Sequence, residues 1–403
     1  MKKIFVSAPG LICCAGRDRN EFYEACLTGN QTGIIIKELP EGKKYPTRQI
    51  PWELPEPAFK MPEPQDYAGG ARIIKIIDTA LEQIRLEIEK AITKYGKEKI
   101  GICLGSCDNG SEGSFIAHKA FFTNGAFPQD YNLRFQSASF PAEFAAKKFG
   151  IKGPAITIAA ACASGASAII KGAELIQAGV CDAVIAGGAD IVSNTVLLGF
   201  HALEAVSEEI TNPFSKNRKG INLGEGAAFF LLEASPPPKE ECGIELLGYG
   251  ESADAYHMTA PGPDGAGPAK AMKEALRKAK LEPQRIGYIN LHGTGTPLND
   301  IAEALAMKTV FGDNIPPISS TKPITGHTLG AAGALEAAVC WMTINEKKGF
   351  PLHCWDGEKD EEFPFHPSVP NCQPPSICMT NSFAFGGCNV SLILGSSRAG
   401  GGS

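Results

Sequence analysis

No CxxC pair occurs among the thirteen cysteines of this 403-residue chain. Cys103 and Cys107 lie four apart with no second pair at metal-ligand spacing, so no metal site is expected. An odd number of cysteines, scattered through apolar segments of a long chain, argues against a secreted disulfide framework and for a reducing, cytoplasmic setting. No uncharged apolar run reaches the roughly 18 residues needed to cross a bilayer, which excludes membrane insertion. The opening MKKIFVSAPGLICC imitates a lipoprotein signal, but Ser7, Pro9 and Gly10 interrupt a run already shorter than the roughly 7 to 15 residues of a secretory segment. A first strand followed by a turn is the expectation there. The chain also lacks GxxxxGK[ST], a GxGxxG after a strand and a GxSxG elbow, which removes the sequence support for phosphate cradling and serine hydrolysis. A formal net charge of -6 gives no overall drive toward nucleic acid.

What is present is an ordinary globular composition, 43% hydrophobic and 20% charged, able to bury one large core or two linked ones. Asp18 to Leu27 reads as a short helix, and Pro46 to Pro64 as an extended surface loop. From Arg72 to Tyr95, isoleucines and leucines recur every three or four residues, which predicts one long amphipathic helix. Strands are expected at Ile100–Leu104, Ala183–Ala189, Gly224–Glu233, Ile244–Gly250, Ile286–Leu291 and Val390–Leu394, with helices at Pro268–Ala279 and Ile301–Val310. The triple proline Pro236 to Pro238 divides the chain into halves 1–238 and 239–395, followed by a flexible tail 396–403. Each half alternates strands and helices and closes with a glycine-rich turn into an apolar strand. This suggests an internally duplicated α/β unit with sheets covered on both faces.

The segment Pro154–Ala178 concentrates the chemistry. Ile156 and Ile158 alternate with small residues as a buried strand would, and from Cys162 the pattern turns helical. Cys162 therefore stands at a helix N-terminus, where free amides and the dipole favour a thiolate. Alanine, serine and glycine flank it, leaving its backbone room to approach another helix or a substrate. Most other cysteines fit as small core residues. Two of seven histidines stand apart: His292 in HGTGTPLND, and His327 in TGHTLGAAG just after Lys322. Both lie in glycine-threonine loops at strand ends, where α/β active sites collect.

AAACASG, HGTGTPLND, STKPITGHTLGAAG and NSFAFGGCN, in this order, identify the chain as resembling the β-ketoacyl-acyl carrier protein synthases of the thiolase superfamily. The resemblance runs from about residue 1 to 395. It implies a five-layered αβαβα fold of two similar halves, usually dimeric. The Cys-His-His set is similar to elongating members; the coenzyme A-primed branch resembles Cys-His-Asn. YGKEKIGICLGSCDNGSEG, LHCWDG and Ala384 in NSFAFGG narrow the resemblance to synthases of aryl-polyene clusters. A thiolase is disfavoured because only Cys388 offers a second cysteine near the C-terminus, and chain-length-factor relatives lack the cysteine that stands here as Cys162.

The resemblance also implies roles. Cys162 carries the acyl chain, the amides of Cys162 and Phe385 form the oxyanion hole, and His292 and His327 serve the enolate. Lys322 and Glu336 organise the histidines, with Asp300 and Glu303 behind them. Thr294 and Thr296 meet a phosphopantetheine arm carried by the partner acyl carrier protein, so no bound cofactor is expected. Phe385 gates the acyl pocket beside Phe383, and Phe200 is a candidate pocket wall. Asp108 is polar where saturated-chain enzymes resemble an apolar lining, which puts a fatty-acid role in doubt. Expected partners are the carrier protein, acyl and malonyl thioesters, and a second subunit in a homodimer or a heterodimer with a synthase-like relative. Arg72, Lys75, Lys216, Arg218 and Lys219 are candidate docking cations.

Overall fold

The computed structural model describes residues 2–39, 42–59, 68–107, 110–129, 131–236, 243–369 and 373–397. The first half supplies β1 (Phe5–Val6), β2 (Gly10–Cys13), α1 (Arg19–Thr28), β3 (Ile34–Glu38), β4 (Lys44–Arg48), α2 (Ala68–Glu82), α3 (Arg85–Tyr95) and β5 (Ile100–Gly105). It continues with α4 (Ser111–Asn124), α5 (Phe140–Phe149), β6 (Ala155–Ile158), α6 (Ser164–Gln177), β7 (Ala183–Asp190), α7 (Asn194–Ala202) and β8 (Gly226–Glu233). The second half supplies β9 (Ile244–Ala253), α8 (Ala266–Ala279), β10 (Tyr288–Asn290), α9 (Pro297–Phe311), β11 (Ile318–Ser319), α10 (Lys322–Thr325), α11 (Ala332–Glu346), β12 (Ile377–Phe383) and β13 (Cys388–Ser396).

The two halves repeat one topology. In the first, β6 and β5 are parallel, β5 and β7 are parallel, and β8 runs antiparallel to both β7 and β1. In the second, β11 and β10 are parallel, β10 and β12 are parallel, and β13 runs antiparallel to both β12 and β9. Strand β1 also pairs with β9 and so joins the two sheets.

Side chains alternate along these strands, as the pleat requires. On β8, Phe230 and Leu232 point into a middle core while Phe229 and Leu231 point into an outer one; on β13, Leu392 and Leu394 point inward and Ile393 outward. The middle core is filled by α6 and α11, through residues such as Ile169, Ile170, Leu335 and Val339. Helices α2, α3 and α5 cover the first sheet outside, and α8 and α9 cover the second. The result is the expected αβαβα arrangement, in which α11 is buried from Ala332 to Ile344 and α6 shows the solvent only a narrow edge around Lys171.

Several sequence expectations change. The long helix over Arg72–Tyr95 is two helices, broken where the Gln83 side chain leaves the helical pattern to bind Leu11: its Oε1 accepts from the Leu11 N–H at 3.2 Å, and its Nε2 donates to Leu11 O at 2.7 Å. The expected surface loop Pro46–Pro64 starts as β4, with Thr47 and Arg48 buried because Arg48 donates to Thr32 O at 3.1 Å, Gln31 Oε1 at 2.8 Å and Pro323 O at 2.6 Å. Strand β6 is not fully buried; it is the outermost strand of its sheet. Pro237 and Pro238 of the expected boundary lie outside the described residues, as does 398–403 of the tail, whereas Ser396 belongs to β13.

Candidate active site

Between β6 and α6 the chain turns sharply. Ala161 holds a left-handed φ of +47°, and its carbonyl accepts the Ser164 N–H at 3.1 Å and the Ser164 hydroxyl at 2.6 Å. That hydroxyl in turn accepts the Ala160 N–H at 2.8 Å, closing the elbow that presents Cys162. The small residues around Cys162 serve helix contact: a Cβ on Gly165 would stand 2.7 Å from Gly330 O, and one on Gly333 of α11 would stand 2.8 Å from Ala166 Cβ. The starts of α6 and α11 therefore touch backbone to backbone.

His292 and His327 come from the other half. The His292 N–H and the Gly293 N–H both donate to Glu303 of α9, at 2.9 and 2.8 Å, while Thr294 and Gly295 donate to Asp300 at 3.0 and 3.1 Å. Two buried acids on α9 thus bolt down the loop that precedes it. His327 is held by its backbone, donating to Asn222 O at 2.7 Å and accepting from Gly224 N–H at 2.9 Å. The two imidazoles meet edge to face, with ring centres 5.4 Å apart at 82°.

Lys322 and Glu336 lie behind the rings as a buried ion pair, and the Lys322 ammonium also donates to His292 O. Its Nζ stands 3.5 Å from His292 Nδ1. Lysine is only a donor, so the neutral His292 ring carries its proton on Nε2. His292 Nε2 and His327 Nδ1 are buried with no hydrogen-bond partner among the described residues.

Cys162, His292, His327, Thr294, Thr296, Phe383, Phe385 and Phe200 line one narrow pocket. The structure brings all eight expected residues together. It adds Ala205 and Ile221, which carried no motif in the sequence, and Asn299, a position of HGTGTPLND to which no role was assigned. Phe385 packs on Phe200 with ring centres 5.5 Å apart, and Gly386 and Gly387 follow it at φ +81° and +72°. Cys388 does not line the pocket, which leaves the thiolase reading without its second cysteine. Asp108 lies outside the described residues. Four of the five candidate docking cations are already engaged: Arg72 with Glu225, Lys75 with Glu56, Arg218 with Asp360 and Lys219 with Glu209.

One electrostatic expectation is reversed. Burial pushes the Cys162 thiol up to about 12, with the Lys322 charge pulling the other way. Burial withholds from the Cys162 sulfur the water that would stabilise a thiolate, and so favours the protonated thiol. Burial, reinforced by the Lys322 charge, also drives His292 and His327 well below the ordinary histidine value, so both rings are neutral. Glu336 and Glu303 are each raised to about 7 and Asp300 to about 6, in every case chiefly by burial.

Comparison with known proteins agrees with this geometry. Residues 72–236 match the family described as "Beta-ketoacyl synthase, N-terminal domain", and residues 244–353 match "Beta-ketoacyl synthase, C-terminal domain". The chain belongs to the β-ketoacyl synthase family. It is 31% identical to the 3-oxoacyl-[acyl-carrier-protein] synthase 2 of Coxiella burnetii over 98% of each chain. It is 32% identical to the Vibrio cholerae protein of the same name, over 98% of this chain and 99% of that one. Among solved structures, it resembles a ketosynthase (ApeO) in complex with its chain length factor (ApeC) from Xenorhabdus doucetiae, with TM-score 0.89 and 38% identity over 98% of each chain. The ishigamide ketosynthase/chain length factor gives TM-score 0.87 and 28% identity, over 98% of this chain and 99% of that one. Among the described residues no helix is long and apolar enough to cross a membrane.

Proposed function

We propose that this β-ketoacyl synthase, an acyltransferase, extends a polyene chain on an acyl carrier protein by decarboxylating Claisen condensation, in aryl-polyene or related biosynthesis. One observation carries the reading: Cys162 shares a pocket with two neutral histidines, each holding an unpartnered buried nitrogen.

In the first half-reaction the Cys162 sulfur attacks the acyl thioester, its proton passes to the departing pantetheine sulfur, and the chain stays on Cys162. The Cys162 and Phe385 N–H groups serve the oxyanion; losing such a donor typically costs about 10²- to 10³-fold in rate. In the second, malonyl carrier protein loses carbon dioxide to give an enolate. His292, through its Nε2–H, and His327 bind the enolate oxygen. The enolate carbon attacks the acyl carbonyl, the bond to Cys162 breaks, and the released thiolate regains a proton. Thr294 and Thr296, whose hydroxyls lie 2.9 Å apart, serve the pantetheine arm, and Phe385 gates entry.

The polyene assignment rests on the GSCDNG and LHCWDG segments and on the likeness to the ApeO complex. That complex also favours a synthase-like subunit as partner. Phe115, Ile116, Phe121, Phe122, Phe127 and Leu133 form an exposed apolar group on and after α4, a surface suited to such a subunit. Likeness to the two named synthase 2 enzymes supports general fatty-acid elongation as the second reading.

Intact-mass analysis with saturated, polyenoic and aryl-polyenoic carrier thioesters tests these readings. Selective loading of polyenoic chains is expected. Preference for saturated chains shifts the assignment to fatty-acid elongation, and no loading with any donor removes the enzyme reading.

A further inference from the structure

Behind the pocket, glycines from four elements meet with no side chain between them. Gly105 ends β5, Gly165 lies in the first turn of α6, Gly188 belongs to β7, and Gly330 follows His327 by three residues. A Cβ on Gly188 would stand 2.3 Å from Gly330 O, and one on Gly105 would stand 2.4 Å from Gly165 N. One acid borders this junction. Asp190, the last residue of β7, is fully buried.

Its carboxylate accepts from Ser106 Oγ at 2.9 Å, from the Cys107 N–H at 3.0 Å and from the Gly330 N–H at 2.5 Å. Cys107 extends the connection, because its Sγ–H donates to Ala161 O at 3.0 Å. Ala161 precedes the nucleophile and holds a φ of +47°. On the opposite arm, Gly330 follows Leu329, which holds a φ of +50°. Both residues are non-glycine and left-handed, a conformation that persists only where the surroundings fix it. One carboxylate is thus bonded toward each of the two strained turns that present Cys162 and His327.

We propose that Asp190 is a positioning residue: through Cys107 and Gly330 it fixes the separation between the Cys162 elbow and the His327 loop. Catalytic groups displaced by about 1 Å can lose 10²-fold in rate, so a link between these two turns bears on both half-reactions. The Cys107 N–H reaches both carboxylate oxygens, at 3.0 Å each, so asparagine would keep both arms through a single carbonyl; alanine at 190 removes every acceptor and cuts both. The inference rests on the condensing-enzyme reading above, and wild type is the control that separates the two. No wild-type loading removes the function, whereas normal wild-type loading leaves the Asp190 question to the variants.

The test uses a hexa-2,4-dienoyl carrier thioester as donor and iodoacetamide, run to completion and mapped to the Cys162 peptide, to count intact sites. Asp190→Ala is expected to slow loading and condensation about 10²-fold per alkylatable Cys162, with the KM for malonyl carrier protein within about twofold of wild type. A merely structural role lowers the count of intact sites and leaves the rate per site unchanged; that result overturns the proposal. Cys107→Ala provides a second reading if Asp190→Ala folds poorly. It cuts only the arm to Ala161, so loading is expected to slow about tenfold while malonyl decarboxylation stays near wild type. Equal slowing of both steps, or of neither, also overturns the assignment.

Discussion

Cys162 and His327 occupy the same place in the two halves of the fold. Cys162 lies between β6 and α6, His327 between β11 and α11, and β6 and β11 are the equivalent outer parallel strands of the repeated unit. Because α6 and α11 are the buried pair that touch at their N-termini, the repeat itself brings nucleophile and histidine into one pocket. His292, after β10, enters from beside the second of these turns. The glycine and alanine runs at both helix starts are what allow the approach.

This arrangement separates the roles of the two residues. Cys162→Ala is expected to abolish acyl loading, seen as no mass increase with any carrier thioester. His327→Ala should still load, since the sulfur and the oxyanion amides remain, but condensation should fall about 10²- to 10⁴-fold. Loss of loading in His327→Ala, with the fold intact by circular dichroism, would contradict the division.

Lys322 and Glu336 are 1% and 4% exposed in their side chains, so each depends on the other for its charge. Lys322→Met leaves a buried carboxylate without its cation and should cost about 3–5 kcal/mol in urea unfolding. The double variant Lys322→Met, Glu336→Leu should recover most of that loss while remaining inactive. A double variant no more stable than the single one would show that the pair does not act as a unit.

The legible parts of the sequence were those that local chemistry dictates. Cys162, His292 and His327 stood in motifs, and the period-two and helical patterns gave most strands and helices of both halves. The break at Gln83 was hidden because the isoleucine spacing runs through it, and only a tertiary bond to Leu11 reveals it. Arg48 read as surface because its partners are carbonyls far away in sequence. Cys162 read as thiolate-prone because the helix start is local, whereas the burial that favours the protonated thiol is global. Ala205 and Ile221 reach the pocket from loops with no pattern of their own, whereas Asn299 stood in HGTGTPLND with nothing local to mark it as a pocket residue.

The neutral histidines and the protonated thiol make a pH prediction. With the thiol raised to about 12, iodoacetamide alkylation of resting Cys162 should climb about tenfold per pH unit from 7 to 10; a plateau near 8.5 would mean an ordinary thiol. Each histidine, depressed below its unfolded value of about 6.5, favours folding fully above that pH, and the contribution is lost as pH falls. Glu303 and Glu336 oppose this, favouring folding below about 4.5 and losing the effect as pH rises through about 7. Imidazole resonances, rather than melting temperature, therefore give the clean measurement. Neither ring should titrate between pH 8 and 6.

Backbone strain at the elbow makes the last prediction, and it has opposite signs at two neighbouring sites. Ala161 holds its left-handed φ at a cost of about 1–2 kcal/mol that glycine would not bear. Glycine also loosens the unfolded chain, an effect of about 0.4–1 kcal/mol against folding. Ala161→Gly should therefore be neutral or stabilising by up to about 1.6 kcal/mol. Gly330 is the reverse case: a Cβ there would stand 2.6 Å from Asp190 Oδ2, 2.8 Å from Ser106 Cα and 3.0 Å from Cys107 N. None of these is the free end of a flexible side chain, so Gly330→Ala should lose about 1–3 kcal/mol through overpacking. Urea unfolding of both variants checks the pair. Equal destabilisation would mean that Ala161 is unstrained, and an unchanged Gly330→Ala would mean that the junction beneath the nucleophile is looser than its contacts imply.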